Sequence, residues 1–323
     1  MKVLVTGGSG YIGGHTVRQL LDLGHDVTVF DNLSTGRLSN ITDMPECKFH
    51  YGDTADMIRL DEVMDGRNFD IVMHFAALID VNESIHNPLA YYQANTANTV
   101  SVIKACERHR VGKLIYSSTA AVYGVIGDRE MVTEECPTRP VNPYAQSKLM
   151  SERIIGDYIA AHPELGCIIL RYFNVAGSNG SIGPGPKSRH LIRNACRTAI
   201  GAQPYLQIFG TDYNTPDGSC IRDYIHVEDV ARAHIDAMEY LKKGGTFDIL
   251  NCGYGRGLSV KEIVTAVKRV SGKDIPIQID LPRDGDVAKV VANCGKIKRV
   301  LGWKPKHDNI DEIIRSSLEW EAR

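Results

Sequence analysis

No apolar run in this 323-residue sequence approaches the ~18 residues that a membrane-spanning helix requires. No basic-then-apolar leader precedes the short run at Val3–Thr6, so the expected address is the cytoplasm, with no membrane partner. Charge of neither sign dominates. Lys and Arg number 37 against 39 Asp and Glu, a balance of −2, which excludes the basic surface that nucleic acid or an anionic membrane needs. Paired cysteines are lacking too: the eight are irregularly spaced, with no C-x-x-C and no Cys/His cluster at zinc spacing. They are expected to be small apolar fillers, and no metal is expected. Glycine, by contrast, is plentiful at 30 residues, which suits many tight strand-to-helix turns. A hydrophobic content of 43% excludes wholesale disorder, and the length suggests about two domains.

Short apolar runs alternate with helical periodicity over the first 120 residues. Strands are expected at Val3–Thr6, Asp26–Phe30, Lys48–Tyr51, Asp70–Phe75 and Lys113–Ser117. A first helix carries Ile12, Val17, Leu20 and Leu21; a long one starts near Pro88, and another runs from Tyr144 to about Ala161. A sixth strand follows at Cys167–Arg171. Nearly continuous apolar strands separated by helices imply an α/β fold, a doubly wound parallel sheet of Rossmann-like type. After Asn174 a Gly/Pro/Ser-rich stretch, Gly177–Ser188, reads as a loop, followed by helices near His190–Ile200, Val227–Lys242, Val260–Val270 and Asn309–Trp320. The expected division is a cofactor domain over 1–175, rejoined by about 221–250, and a smaller mixed α/β substrate-binding domain over 176–220 and 251–323.

Two constellations carry chemistry. Gly7, Gly10 and Gly13 follow the first strand and open the first helix, with Tyr11 and Ile12 between them. Absent side chains let the backbone approach a pyrophosphate at the positive helix end. Asp31 closes the second strand, where a carboxylate accepts hydrogen bonds from an adenosine ribose and repels a 2′-phosphate; NAD is therefore expected rather than NADP. Asp53, after the third strand, is placed to meet the adenine edge. Tyr144 and Lys148 lie four residues apart on one helix face. A phenol of pKa ~10 must drop about three units to act as a base at neutral pH, about 4 kcal/mol, and a cation ~4 Å away supplies about that much. Lys148 is thus expected to draw the pKa of Tyr144 down, making the phenol a general base and acid.

Gly7–Gly13, Asp31, His74–Ala77, Ser117–Thr119 and Tyr144–Lys148 together resemble the extended short-chain dehydrogenase/reductase family. The segments Ala121–Gly124, Leu170–Asn174, Gln207–Tyr213, Arg222–Val227, Arg283–Asp286 and Leu301–Trp303 look like its UDP-glucose 4-epimerase branch, so the resemblance covers nearly the whole chain. It implies an NAD-dependent isomerase that inverts C4 of a UDP-hexose through a transient 4-keto sugar, and a homodimer through the helices near Pro88–Arg110 and Tyr144–Ala161. Thr119, Tyr144 and Lys148 would be catalytic. Asn32, Thr54, Phe75, Ala76, Ala77 and Phe173 would join the glycine loop, Asp31, Asp53, Tyr144 and Lys148 around NAD. The nucleotide sugar would be gripped by Thr119, Tyr144, Asn174, His190, Leu191, Gln207, Ile208, Phe209, Arg222, Arg283 and Asp286. Val290 would border the sugar C2 substituent; its small side chain implies tolerance of an acetamido group, hence UDP-N-acetylhexosamines as further substrates.

Ile79 and Ala94 stand where the branch commonly has Lys and Asn, removing polar contacts around NAD, and the glycine loop before His190 is short. A 4,6-dehydratase needs an acid and a base just after the active-site Thr, where this chain has Ala120 and Ala121. A reductase would have to release its cofactor. A non-catalytic NAD sensor would need none of Thr119, Tyr144 and Lys148.

Overall fold

The computed structural model describes residues 1–127, 130–185, 188–283 and 286–323. Asp284 and Gly285 of the Arg283–Asp286 motif lie outside them. The first half runs β1 (Lys2–Thr6), α1 (Tyr11–Asp22), β2 (Asp26–Asp31), β3 (Lys48–Tyr51), α2 (Met57–Met64), β4 (Ile71–His74), α3 (Val81–His86), α4 (Pro88–Tyr91), a π-helical turn (Tyr92–Ala97), α5 (Asn98–Arg108), β5 (Lys113–Thr119), α6 (Pro143–Ala161) and β6 (Gly166–Tyr172). The second half runs β7 (Asn174–Ala176), α7 (Leu191–Ala199), β8 (Leu206–Phe209), β9 (Ile221–His226), α8 (Val227–Lys242), β10 (Asp248–Cys252), β11 (Gly257–Ser259), α9 (Val260–Ser271), β12 (Ile277–Asp280), β13 (Lys289–Val290), α10 (Gly295–Leu301) and α11 (Ile310–Glu321).

Alternation along each strand builds a core on both sides of one sheet. Val3, Val5, Val27, Val29, Ile115 and Leu170 face one layer, with Val17 of α1 and Val230 of α8. Leu4, Val72, Leu114, Tyr116 and Ile169 face the other, with Leu60 of α2, Val102 of α5 and Ile155 of α6. This two-sided burial is why the strands read as unbroken apolar runs. The sheet is parallel throughout, in the order β10-β6-β5-β4-β1-β2-β3. Strand order reverses between β1 and β4, so the loops after these strands diverge and leave a crevice at their carboxyl ends.

Two parts of the expected outline change. Within 221–250, β9 belongs to a smaller sheet with β7, β11 and β13, while β10 joins the large one. The helix expected from Pro88 is interrupted by the π-turn. α2 and α3, each with an aspartate N-cap (Asp56 and Asp80), had no counterpart in the periodicity.

Four histidines sit inside this fold. Burial holds His15 and His234 down to about 4, and His74 and His226 to about 3. Each is neutral when folded and titrates near 6.5 when unfolded, so its contribution is complete above that pH and lost as pH falls toward 4. The buried carboxyl of Asp223, raised to about 6, opposes this by taking a proton in the folded state. Stability is therefore expected to fall as pH drops from about 6.5 toward 4, with the histidines taking up protons on unfolding. Urea titrations between pH 7 and 4.5 check it; stability that stays level below pH 6 contradicts the neutral histidines.

Candidate functional site

The crevice opens into a cavity of about 980 Å³. At one end lies the glycine turn. Gly7 has φ +73°, and a Cβ there would sit 2.5 Å from the Ala76 amide nitrogen; a Cβ on Gly13 would sit 2.3 Å from the Gly7 carbonyl. Only glycine lets these chains cross so closely. Gly10 is the N-cap of α1 and supplies no side-chain cap, so amides of the first turn face the cavity. This cradle, which a Cβ would fill, is what a dinucleotide pyrophosphate requires, and the donor set around it fits NAD.

Asp31 is buried. It accepts from the Ser9 amide at 2.9 Å and the Leu33 amide at 2.8 Å; burial raises its pKa and these two bonds hold it back. Asp53 is fully engaged: Asn32 Nδ2 donates to it at 2.6 Å, the Ala55 amide at 2.8 Å and Asn98 Nδ2 at 3.2 Å, while Gln93 Nε2 donates to Asn98 Oδ1 at 3.2 Å. Gln93 and Asn98 both line the cavity and were missed by the sequence reading. They are five residues apart, the spacing of a π-turn, and a 3.6-residue period puts them on different faces. The same turn aims Asn95 away from the cavity, where it bonds both backbone groups of Leu78 and donates to Ser147 Oγ at 3.0 Å. It thereby ties the loop after β4 to α6. Ala94 and Ile79 line the cavity, Ile79 substantially exposed.

At the centre, Thr119 ends β5 and accepts from the Ala121 amide at 3.1 Å. Asn142 caps α6 and Pro143 starts it, which places Tyr144 in the first turn, its ring edge-on to Tyr91. Lys148 follows one turn later, buried, with Nζ donating to the Ser117 carbonyl at 2.7 Å and lying 4.7 Å above the Tyr116 ring. The expected pKa pattern is corrected here. Burial raises Tyr144, with Thr119 the opposing hydrogen-bond partner, while burial draws Lys148 down to about 7 against the pull of Glu152. Spacing along the helix identified neighbours but could not reveal that both groups are desolvated, or that the ammonium is turned to a β5 carbonyl.

At the far end are Arg222, which has its Nη2 3.7 Å from Asp286, and Arg283, whose guanidinium lies 3.7 Å over the Phe209 ring. Asn174, His190 and Val290 complete the wall, as do Thr54, Phe75, Ala77 and Phe173 nearer the middle. Four anticipated residues lie outside the lining. Leu191 opens α7 and packs on the core; Gln207 points outward from β8 and donates to Asp280; Ile208 is buried beneath; Phe209 is covered by Arg283.

A model of the NAD dependent epimerase/dehydratase family matches residues 3–253. The chain is 48% identical over 323 residues to the UDP-glucose 4-epimerase of Azospirillum brasilense, covering 99% of this chain and 92% of the relative. It superposes with a TM-score of 0.93 on the UDP-glucose 4-epimerase of Bifidobacterium longum in complex with NAD+ and UDP, at 38% identity over 100% of this chain and 98% of the other. The UDP-Glc/GlcNAc 4-epimerase of Campylobacter jejuni gives a TM-score of 0.87 at 43% identity, with 99% of both chains covered.

Proposed function

The chain belongs to the NAD dependent epimerase/dehydratase family, and from that premise we propose that it is a UDP-glucose 4-epimerase. The observation that carries this reading is the order of groups along one cavity: glycine cradle and Asp31, then Thr119, Tyr144 and Lys148, then Arg222 and Arg283. When bound, NAD supplies a reversible hydride acceptor. The chain's residues do the rest. Thr119 holds the sugar 4-hydroxyl, Tyr144 as its phenolate takes the proton as C4 is oxidised to the ketone, and the phenol so formed returns it after the ring presents its other face. Lys148, with its Nζ on the Ser117 carbonyl, is placed to anchor the cofactor ribose. The guanidiniums of Arg222 and Arg283 pair with the UDP diphosphate, keeping the nucleotide tethered while the sugar turns. Dehydration would need proton donors where Ala120 and Ala121 present methyl groups to the cavity.

We assign the cofactor half to the large sheet with α8 and β10, and the nucleotide-sugar half to the smaller sheets with α7, α9 and α11. Leu89 and Met150, exposed on α4 and α6, support a homodimer through these helices. All eight cysteines are free thiols, which suits the reducing cytoplasm. Purified protein should convert UDP-galactose to UDP-glucose without added NAD and release NAD on denaturation; no conversion, with or without NAD, refutes the reading.

The sugar pocket sets a second expectation. Val290 pairs with Arg222 in the small sheet and is half-buried in the cavity wall. Valine leaves room for an acetamido group, so UDP-N-acetylglucosamine should be a substrate. Val290→Tyr should depress its kcat/KM relative to that of UDP-glucose by about tenfold or more through steric overlap. An unchanged ratio would remove Val290 as the gate.

A further inference from the structure

The wall around His190 is built on a segment with little structure of its own. Residues 177–185 and 188–190 form no helix, and β7 ends just before them. They are held from outside, by the last turns of α11. The Ser178 amide donates to Ser316 Oγ at 3.3 Å. The Trp320 indole lies flat on Gly183, where a Cβ would come within 2.4 Å of the ring, and its Nε1 donates to the Pro184 carbonyl at 3.4 Å. Arg193, buried on α7, donates from Nη1 to the carbonyls of Gly185 and Ser188, each at 2.7 Å. Its Nε donates to Glu321 Oε1 at 2.7 Å, and the carboxylate also receives Arg197 Nη1 at 3.2 Å. The Glu321 side chain is only 4% exposed.

A buried guanidinium must have a counter-charge or recover water. With Glu321 present as counter-charge, Arg193 donates to the two loop carbonyls; without it, hydration of the guanidinium competes with those bonds. The segment's other flank reaches the cofactor half, where Tyr11 donates from its hydroxyl to the Gly177 carbonyl at 2.5 Å.

We propose that the C-terminal end of α11 positions the nucleotide-sugar wall of the cavity, with Glu321 and Arg193 as the positioning residues. This rests on the epimerase reading of the site. Neither side chain lines the cavity, so the effect falls on substrate affinity rather than on the proton transfer at Tyr144. Glu321→Gln is expected to raise the KM for UDP-galactose about fivefold or more, with kcat and bound NAD within about twofold of the parent. Arg197→Gln, which loses a partner of Glu321 but no loop carbonyl, should leave KM within about twofold. A folded Glu321→Gln protein with unchanged KM, or with kcat lowered at constant KM, overturns the proposal.

Hydrogen exchange of the wild type covers the case in which Glu321→Gln does not fold. Added UDP should slow exchange in 183–190 and 316–322 together. Protection of the first without the second overturns the coupling. Wild-type protein that fails to epimerise UDP-galactose would refute the functional reading, whereas the exchange arm needs no turnover and judges the positioning role separately.

Discussion

Replacing Tyr144 by Phe is expected to lower kcat by about 10²-fold or more while leaving NAD in place, the usual scale for removing an acid–base group. The ring would keep its edge-on contact with Tyr91 and its place in the first turn of α6, so the loss isolates the hydroxyl. Thr119 is the phenol's hydrogen-bond partner and cannot replace it, because an aliphatic hydroxyl is a far weaker acid than a phenol. Lys148→Met should behave differently. It removes the buried ammonium that bonds the Ser117 carbonyl, so turnover should fall and cofactor content should fall with it. Turnover measured beside the NAD released on denaturation separates the two. A Tyr144→Phe enzyme within a few-fold of wild type would overturn the assignment of the base.

The parts of the site that were legible in the sequence are those written in local pattern. The glycine turn, α1 and the strand ending in Asp31 follow one another within thirty-one residues, and each is specified by its neighbours. α6 was legible from Asn142-Pro143 and the run behind them. Features decided by distant partners were not. β9 carries Arg222, Asp223 and His226 among its six residues, and it pairs with β7, β11 and β13 rather than with the large sheet, a choice made by partners distant in sequence. Gln93 and Asn98 were hidden by the π-turn, which shifts their register by one residue. The pKa of Tyr144 depends on burial, which helical spacing does not report.

The largest structural consequence of such a distant pairing lies beneath the catalytic strand. Arg171 on β6 and Glu152 on α6 are each about 3% exposed and joined by three bonds, Nη2 to Oε2 at 2.6 Å, Nε to Oε1 at 3.0 Å and Nε to Oε2 at 3.2 Å. Ser118 Oγ, next to Thr119, also donates to Glu152. The guanidinium lies 4.9 Å over the Tyr123 ring and donates to its hydroxyl at 3.0 Å, and that hydroxyl donates to Asn251 Oδ1 at 2.6 Å. Burial opposes the charge on Arg171, but the hydrogen-bonded carboxylate outweighs it and holds the pKa above the ordinary arginine value. Deleting one partner leaves the other as an uncompensated buried charge, so Arg171→Met is expected to cost about 3–5 kcal/mol. The double change Glu152→Gln, Arg171→Met orphans neither member of this pair and should recover a good part of that loss, giving a coupling energy of about 1–3 kcal/mol in a double-mutant cycle. Urea denaturation of the wild type, both single variants and the double variant measures it. Additive losses, or a single-variant cost under about 1 kcal/mol, would show that the pair does not hold β5 and β6 to α6. Because Glu152 is also the carboxylate that favours the charged form of Lys148, the double variant should remain folded yet turn over more slowly at neutral pH.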